Sequence, residues 1–299
     1  MGEFGMSVIR YIDTHAHVNI NAFKDDSEAV ISKCADEGVA IVNVGTQQDT
    51  SKRAVELAEK YDNCFAIVGL HPVHTSASYH DEQELGENMK GFTSRGEKFD
   101  ATYYRDLAKN DKVVGIGECG LDYYRLLKDT KAVQEEAFVA QIELANELGL
   151  PLMIHTRDAK GNSASAKAEA GVGNVYDDTY EILKTHAKVP GNVHFYAGTW
   201  EQAKKFFDIG FTVSFTGVIT FAKDYEEVVK NAPLSMIHAE TDCPYVAPVP
   251  YRGQRCEPWM VKEVYKKIAE IRAEDEEVVR TQLVGNAMKL YKLPGASFK

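Results

Sequence analysis

Asp13-Thr14-His15-Ala16-His17 lies on an apolar run that begins at Tyr11, and its reading decides the fold. Side chains two apart on a strand point the same way, so His15 and His17 are placed to grip one cation together. Four further runs end on metal-type side chains. Glu118 closes Val113-Val114-Gly115-Ile116-Gly117, His155 closes Pro151-Leu152-Met153-Ile154, His194 follows Gly191-Asn192-Val193, and Asp242 ends the run from Ser235 to Thr241. Six such residues on five strands converge on one volume only if the last strand closes against the first.

Working outward from these runs, short apolar stretches alternate with amphipathic helical patterns, as in a parallel sheet covered by helices. Eight strands are expected: Tyr11 to Val18, Val39 to Thr46, Cys64 to His71, Val113 to Leu121, Pro151 to Thr156, Asn192 to Ala197, Thr212 to Gly217 and Met236 to Asp242. The pattern from Lys131 to Leu148 puts Val133, Ala137, Phe138, Ile142, Ala145 and Leu148 on one helical stripe, and Gly149 and Pro151 end it. The last long patterns run from Glu257 to Ile271 and from Asp275 to Leu290.

Eight strand-helix units in 299 residues predict an α/β protein with a (β/α)8 TIM barrel of parallel strands and a metal site at its C-terminal face. A doubly wound open sheet would spread the six residues apart. No Gly-rich dinucleotide or phosphate-loop fingerprint follows any strand. The connections from Val73 to Tyr103 and from Lys160 to Asn174 are longer than a barrel needs and read as solvated loops at the catalytic mouth. Met1 to Gly5 reads like a cloning remnant, and residues 6–299 read as one domain without internal repeats.

Forty-five acidic against thirty-four basic residues give a net charge of −11, which argues against a broad basic surface that wraps nucleic acid. A nucleic-acid substrate would need local capture. No run of about 18 apolar residues and no basic-then-apolar leader is present, so a soluble, cytoplasmic protein without a membrane partner is expected. The oligomeric state is left open, with a monomer favoured. Five cysteines without a C-x-x-C pair fit a reduced compartment. Cys119 and Cys243 each follow a candidate ligand, so alternation turns them away from it and into packing.

In a closed barrel, His15, His17, Glu118, His155, His194 and Asp242 face one bowl, and four imidazoles with two carboxylates exceed one cation's needs. Two divalent ions use them all, the first held by His15, His17, Glu118 and Asp242 and the second by Glu118, His155 and His194, with occupancy of a single site as the alternative. Two ions about 3.5 to 4 Å apart lower the pKa of a shared water towards roughly 7 and stabilise both the attacking and leaving oxygens of an in-line displacement. Asp242 is expected to take the water's proton, with Glu118 as the bridge. Glu240, two residues earlier on the strand, is placed to accept a hydrogen bond from a ligand histidine.

These residues sit in blocks that resemble the TatD family of metal-dependent deoxyribonucleases, within the amidohydrolase superfamily. The blocks are Asp13-Thr14-His15-Ala16-His17, Gly69-Leu70-His71-Pro72, Gly115 to Tyr123, Ile154-His155-Thr156-Arg157-Asp158-Ala159, His194-Phe195-Tyr196-Ala197-Gly198, Glu240-Thr241-Asp242-Cys243-Pro244-Tyr245 and Pro250-Tyr251-Arg252-Gly253, in the family's order over nearly the whole chain. The resemblance implies a barrel hydrolase that cleaves DNA, often exonucleolytically on single strands, with the same six ligands. The chain departs from the family where Phe195, Tyr196 and Ala197 stand in place of the usual Cys-Phe-Ser, where Cys256 replaces an Asn, and between Ala159 and Asp177, where residues are inserted.

Around the six, His71 is a candidate phosphate contact, with a structural turn histidine as the alternative, and Arg157 and Arg252 are candidate phosphate clamps, because a guanidinium holds phosphate oxygens bidentately, with an ion pair to Asp158 or another acid as the alternative. Tyr123, Tyr124 and Tyr196 are candidates for stacking on bases, with packing the commoner fate of a tyrosine. Four histidines suit Zn²⁺ or Mn²⁺ better than Mg²⁺, although the family is commonly described as magnesium-dependent. Two rival readings share the residues: a superfamily esterase or amidase, such as a D-aminoacyl-tRNA deacylase, and a metal-binding protein without catalysis.

Overall fold

A computed structural model describes residues 9–80, 92–124, 130–159 and 173–293. Eight parallel strands form one sheet: β1 (Tyr11–Ala16), β2 (Val39–Val44), β3 (Cys64–Val68), β4 (Val113–Asp122), β5 (Leu152–Arg157), β6 (Gly191–Val193), β7 (Phe211–Phe215) and β8 (Ile237–Ala239), each paired with its sequence neighbour. The helices are α1 (Ser27–Asp36), α2 (Gln48–Lys60), α3 (Ala101–Leu107), α4 (Thr130–Leu148), α5 (Val175–His186), α6 (Trp200–Asp208), α7 (Glu226–Asn231), α8 (Val261–Arg272) and α9 (Glu276–Tyr291). The eight expected strands are all present, and the sheet curls into the (β/α)8 barrel.

Closure between β8 and β1 rests on few bonds. Ala16 bridges Cys243 in parallel, the Asp242 amide donates to the His15 carbonyl at 2.9 Å, and the His17 amide donates to the Cys243 carbonyl at 3.0 Å. Below them, the buried Asp13 carboxylate accepts from the Thr241 amide at 2.9 Å, the Thr241 hydroxyl at 2.5 Å and the His15 amide at 3.2 Å. Burial pushes the Asp13 carboxyl well above the usual carboxylate range, although each of these bonds pulls it down. Asp13 thus stitches the seam that carries His15, His17 and Asp242.

Strands β6 and β8 end earlier than their apolar runs imply, so His194 and Asp242 lie just beyond regular strand. The cause is local. Phe195 and Asp242 adopt left-handed backbone, with φ of 43° and 54°, which takes the chain out of the pleat at those points.

Helix α4 corrects one expectation. Val133, placed on the apolar stripe, is 43% exposed, whereas Gln134 and Gln141 are buried. Their amides work as backbone partners: Gln134 accepts from the Asp122 amide at 2.8 Å and donates to the Asp122 carbonyl at 3.1 Å, and Gln141 does the same for Leu70 at 2.8 and 2.9 Å. The helix is therefore rotated to clamp the ends of β3 and β4.

The segment after β3 holds more structure than a bare loop, with a short 3₁₀ turn (Pro72–Thr75), an antiparallel pair (Ser78–His80 with Phe92–Ser94) and α3. Residues 81–91 of it, most of the 160–174 stretch, and residues 1–8 with the suspected remnant lie outside the described residues. The C-terminal patterns appear as α8, preceded by a 3₁₀ turn (Pro258–Met260), and α9, whose N-cap Asp275 accepts from the Glu277 and Val278 amides. All five cysteines are buried and unpaired. Among the described residues, no helix is long and apolar enough to cross a membrane.

Candidate metal centre

His15 near the end of β1, where the ladder to β2 slips between Asp13 and Ala16, and His17 just past the strand both reach the barrel interior, where their Nε2 atoms stand 3.0 Å apart. Glu118 Oε2 lies 3.4 Å from His15 Nε2 and 3.6 Å from His17 Nε2, and Asp242 Oδ1 lies 3.7 and 3.3 Å from the same atoms. Two ligands each about 2.0–2.1 Å from a tetrahedral ion stand roughly 3.4 Å apart. These four donors have that spacing, and they fit one divalent cation.

The other oxygen of Glu118 faces a second group. Oε1 lies 2.8 Å from His155 Nδ1, 2.8 Å from His194 Nε2 and 3.3 Å from His71 Nε2, and the His155 and His194 nitrogens are 3.2 Å apart. Glu118 reaches this central position because β4 bulges against β5 between Ile116 and Cys119. Glycine is required on both sides of it. A Cβ on Gly117 (φ 146°) would meet the Met153 carbonyl at 2.5 Å, and one on Gly120 (φ 143°) the His155 carbonyl at 2.1 Å.

The two groups orient their rings by different means. His17 Nδ1 donates to the Val44 carbonyl at 2.8 Å, which leaves the Nε2 lone pair free for a cation. His155 Nε2 pairs with Asp122 Oδ2 at 3.0 Å, leaving Nδ1 towards Glu118. Glu240 Oε1 lies 3.6 Å from His194 Nδ1, too long for a hydrogen bond; its short bonds are from the Phe195 amide and the Ser214 hydroxyl, both 2.6 Å. Beneath Glu240 a buried polar chain continues through Ser214, Asn192 and Thr212 to His238, in steps of 2.6, 3.2 and 3.0 Å. It forms the floor of the bowl.

Electrostatics within the cluster are strongly coupled. Burial raises the Glu118 carboxyl, but the surrounding His194, His71 and His15 outweigh it and hold the group well below the ordinary range. His15, fully buried and facing His194, is pushed down to about 3. Burial lowers His17, His155 and His194 too, yet Asp242 for His17, Asp122 for His155 and Glu118 for His194 more than offset it, and all three are raised.

The expected substrate residues divide. His71 lines the cleft above the cluster and touches Glu118, and Arg157 lines it with its guanidinium 3.8 Å from the Tyr124 ring centre. Arg252 instead donates to the Ala247 carbonyl at 2.9 Å and covers Phe221, away from the cleft wall. Tyr196 is buried in the core, its hydroxyl donating to the Thr199 carbonyl at 2.8 Å, and Tyr123 is buried on Asp178. The roles of Asp122 and Asp13 were missed. Both had a signal: Asp122 is four residues from Glu118, on the same strand face, and Asp13 is two from His15.

The cleft measures about 1180 Å³, and Lys24 and Arg53 line its α1–α2 side. A family model described as TatD related DNase matches residues 12–292. The chain belongs to this TatD family. The uncharacterized metal-dependent hydrolase YabD of Bacillus subtilis is 36% identical over 286 residues, covering 94% of this chain and 98% of that one. The uncharacterized metal-dependent hydrolase YcfH of Escherichia coli is 29% identical over 290 residues, covering 94% and 96%. Among solved structures, YJJV, a TatD homolog from Escherichia coli, superposes with a TM-score of 0.76 at 25% identity, covering 95% of this chain and 99% of that one.

Proposed function

We propose that this metal-dependent hydrolase of the TatD family is a deoxyribonuclease that removes nucleotides from the 3′ ends of single-stranded DNA. In this reading it works as a cytoplasmic monomer on one barrel domain. The observation that carries it is the position of Glu118, which offers one oxygen to the His15–His17–Asp242 group and the other to the His155–His194 group. Such an arrangement serves two divalent ions sharing a carboxylate, with His71 a further donor beside the second. When bound, the ions neutralise phosphate oxygens and acidify water. Four imidazoles favour zinc or manganese over magnesium for tight binding.

The chain's own residues supply the rest. Asp242, held at the mouth by its left-handed backbone and its bond to the β1 seam, accepts the proton of the attacking water on its carboxylate. Arg157 reaches a phosphate oxygen from across the cleft, and Lys24 and Arg53 draw the strand in locally, which a chain of net charge −11 needs. A cleft of about 1180 Å³ exceeds the usual volume of a small-molecule pocket and suits a polymer end.

The test compares single-stranded DNA labelled at the 3′ or 5′ end with RNA and with a D-aminoacyl-tRNA, before and after chelation and metal add-back. Loss of the 3′ label first, dependent on metal, is expected. Deacylation of the tRNA with intact DNA would replace the nuclease with the esterase reading.

A further inference from the structure

We infer that Phe195 is the platform on which the base of the terminal nucleotide stacks, an inference that rests on the nuclease reading above. In a continuing strand, residue 195 would point away from the interior that His194 faces. Instead the backbone turns left-handed at Phe195, a conformation that bulky residues rarely adopt, and the residue lines the cleft with its ring centre 6.4 Å from that of His194. Its amide is pinned by the buried Glu240 carboxylate at 2.6 Å, the same group that stands behind His194. The turn is therefore fixed relative to the candidate ligand beside it.

Of the phenyl and phenol rings lining the cleft, Phe23 and Tyr176 are buried, while Phe195 and Tyr245 keep part of their surface open. A phenyl ring offers no hydrogen bond, so what it presents to a ligand is apolar area and a π-face. The chemistry that matches is a flat aromatic heterocycle, and in a nucleotide that is the base.

Calorimetry on the zinc-loaded protein tests this with two probes, deoxyadenosine 5′-monophosphate and 2-deoxyribose 5-phosphate, in the second of which a hydroxyl stands in place of the base. The nucleotide should bind roughly 5- to 150-fold more tightly, the range that stacking of one base on an aromatic ring gives. Phe195→Ala and Phe195→Leu should lose most of that margin and Phe195→Trp keep it, with affinity for the sugar phosphate equal in all four proteins. A margin that survives in Phe195→Leu overturns the inference, and that variant decides should Phe195→Ala fail to fold. If the protein degrades DNA but shows no margin, the platform fails alone. If it neither degrades DNA nor binds either probe, the nuclease reading fails and the platform falls with it.

Discussion

His17 gives its second ring nitrogen to the backbone carbonyl of Val44, whereas His155 gives its own to the carboxylate of Asp122. The same contrast runs through the two halves of the candidate centre. On the β1–β8 side, His15, His17 and Asp242 are tied to the main-chain bonds that close the barrel, so holding a cation there and holding the fold together use one set of atoms. On the other side, His71, His155 and His194 are ringed by Glu118, Asp122 and Glu240, side chains that can change without touching the strand ladder. The first half couples ligation to stability. The second tunes ligation through charge.

Four experiments sharpen or break that contrast. The largest effect is expected from Asp242→Asn, which keeps the seam's main-chain bonds but removes the proton acceptor; hydrolysis should fall by about 10²–10⁴-fold with the melting temperature nearly unchanged. Undiminished turnover would assign the proton to another group. Next, Asp13→Ala strands the Thr241 amide and hydroxyl and should destabilise the metal-free protein by roughly 2–4 kcal/mol in urea unfolding. A loss below about 0.5 kcal/mol would show that the seam does not depend on this carboxylate.

Asp122→Asn removes the charge behind His155 and should weaken binding of one metal equivalent by about 10- to 100-fold in a calorimetric titration, with stability little changed. An equal loss at both equivalents would mean the halves are not separable. The last effect is absent at neutral pH and grows only on acidification; it concerns the floor, where burial pushes His238 down to about 3 from 6.5. The unfolded chain binds this proton first as pH falls, so in the metal-free protein His238 by itself should take away about 1.4 kcal/mol of stability per pH unit below pH 6.5, levelling off near pH 3, beside a parallel loss from His15. His238→Gln should flatten the slope between about pH 6.5 and pH 4.5 by that amount. An identical slope would place the titration elsewhere.

The fold and the six clustered residues were legible because each depends on a pattern of short range. Spacing put His15 with His17, and repetition of one motif at five strand ends implied closure. What escaped depends on atoms far apart in the chain. Gln134 and Gln141 look like solvent residues by type, and only the strand ends at Asp122 and Leu70 explain their burial. Arg252 and Tyr196 have the right chemistry for a substrate contact, but Ala247 and Thr199 take their polar groups.

The sequence alone determined the order of strands and helices, the barrel, and which side chains meet at its mouth, since strand periodicity and the requirement of closure leave little choice. Only the tertiary structure decided how they meet. The bulge at Gly117 that turns Glu118 between two groups, the left-handed turn at Phe195, and the choice of Val44 and Asp122 as ring partners each arise from packing between separate strands. Such choices are set by Å-scale distances in three dimensions, which spacing along a chain does not encode.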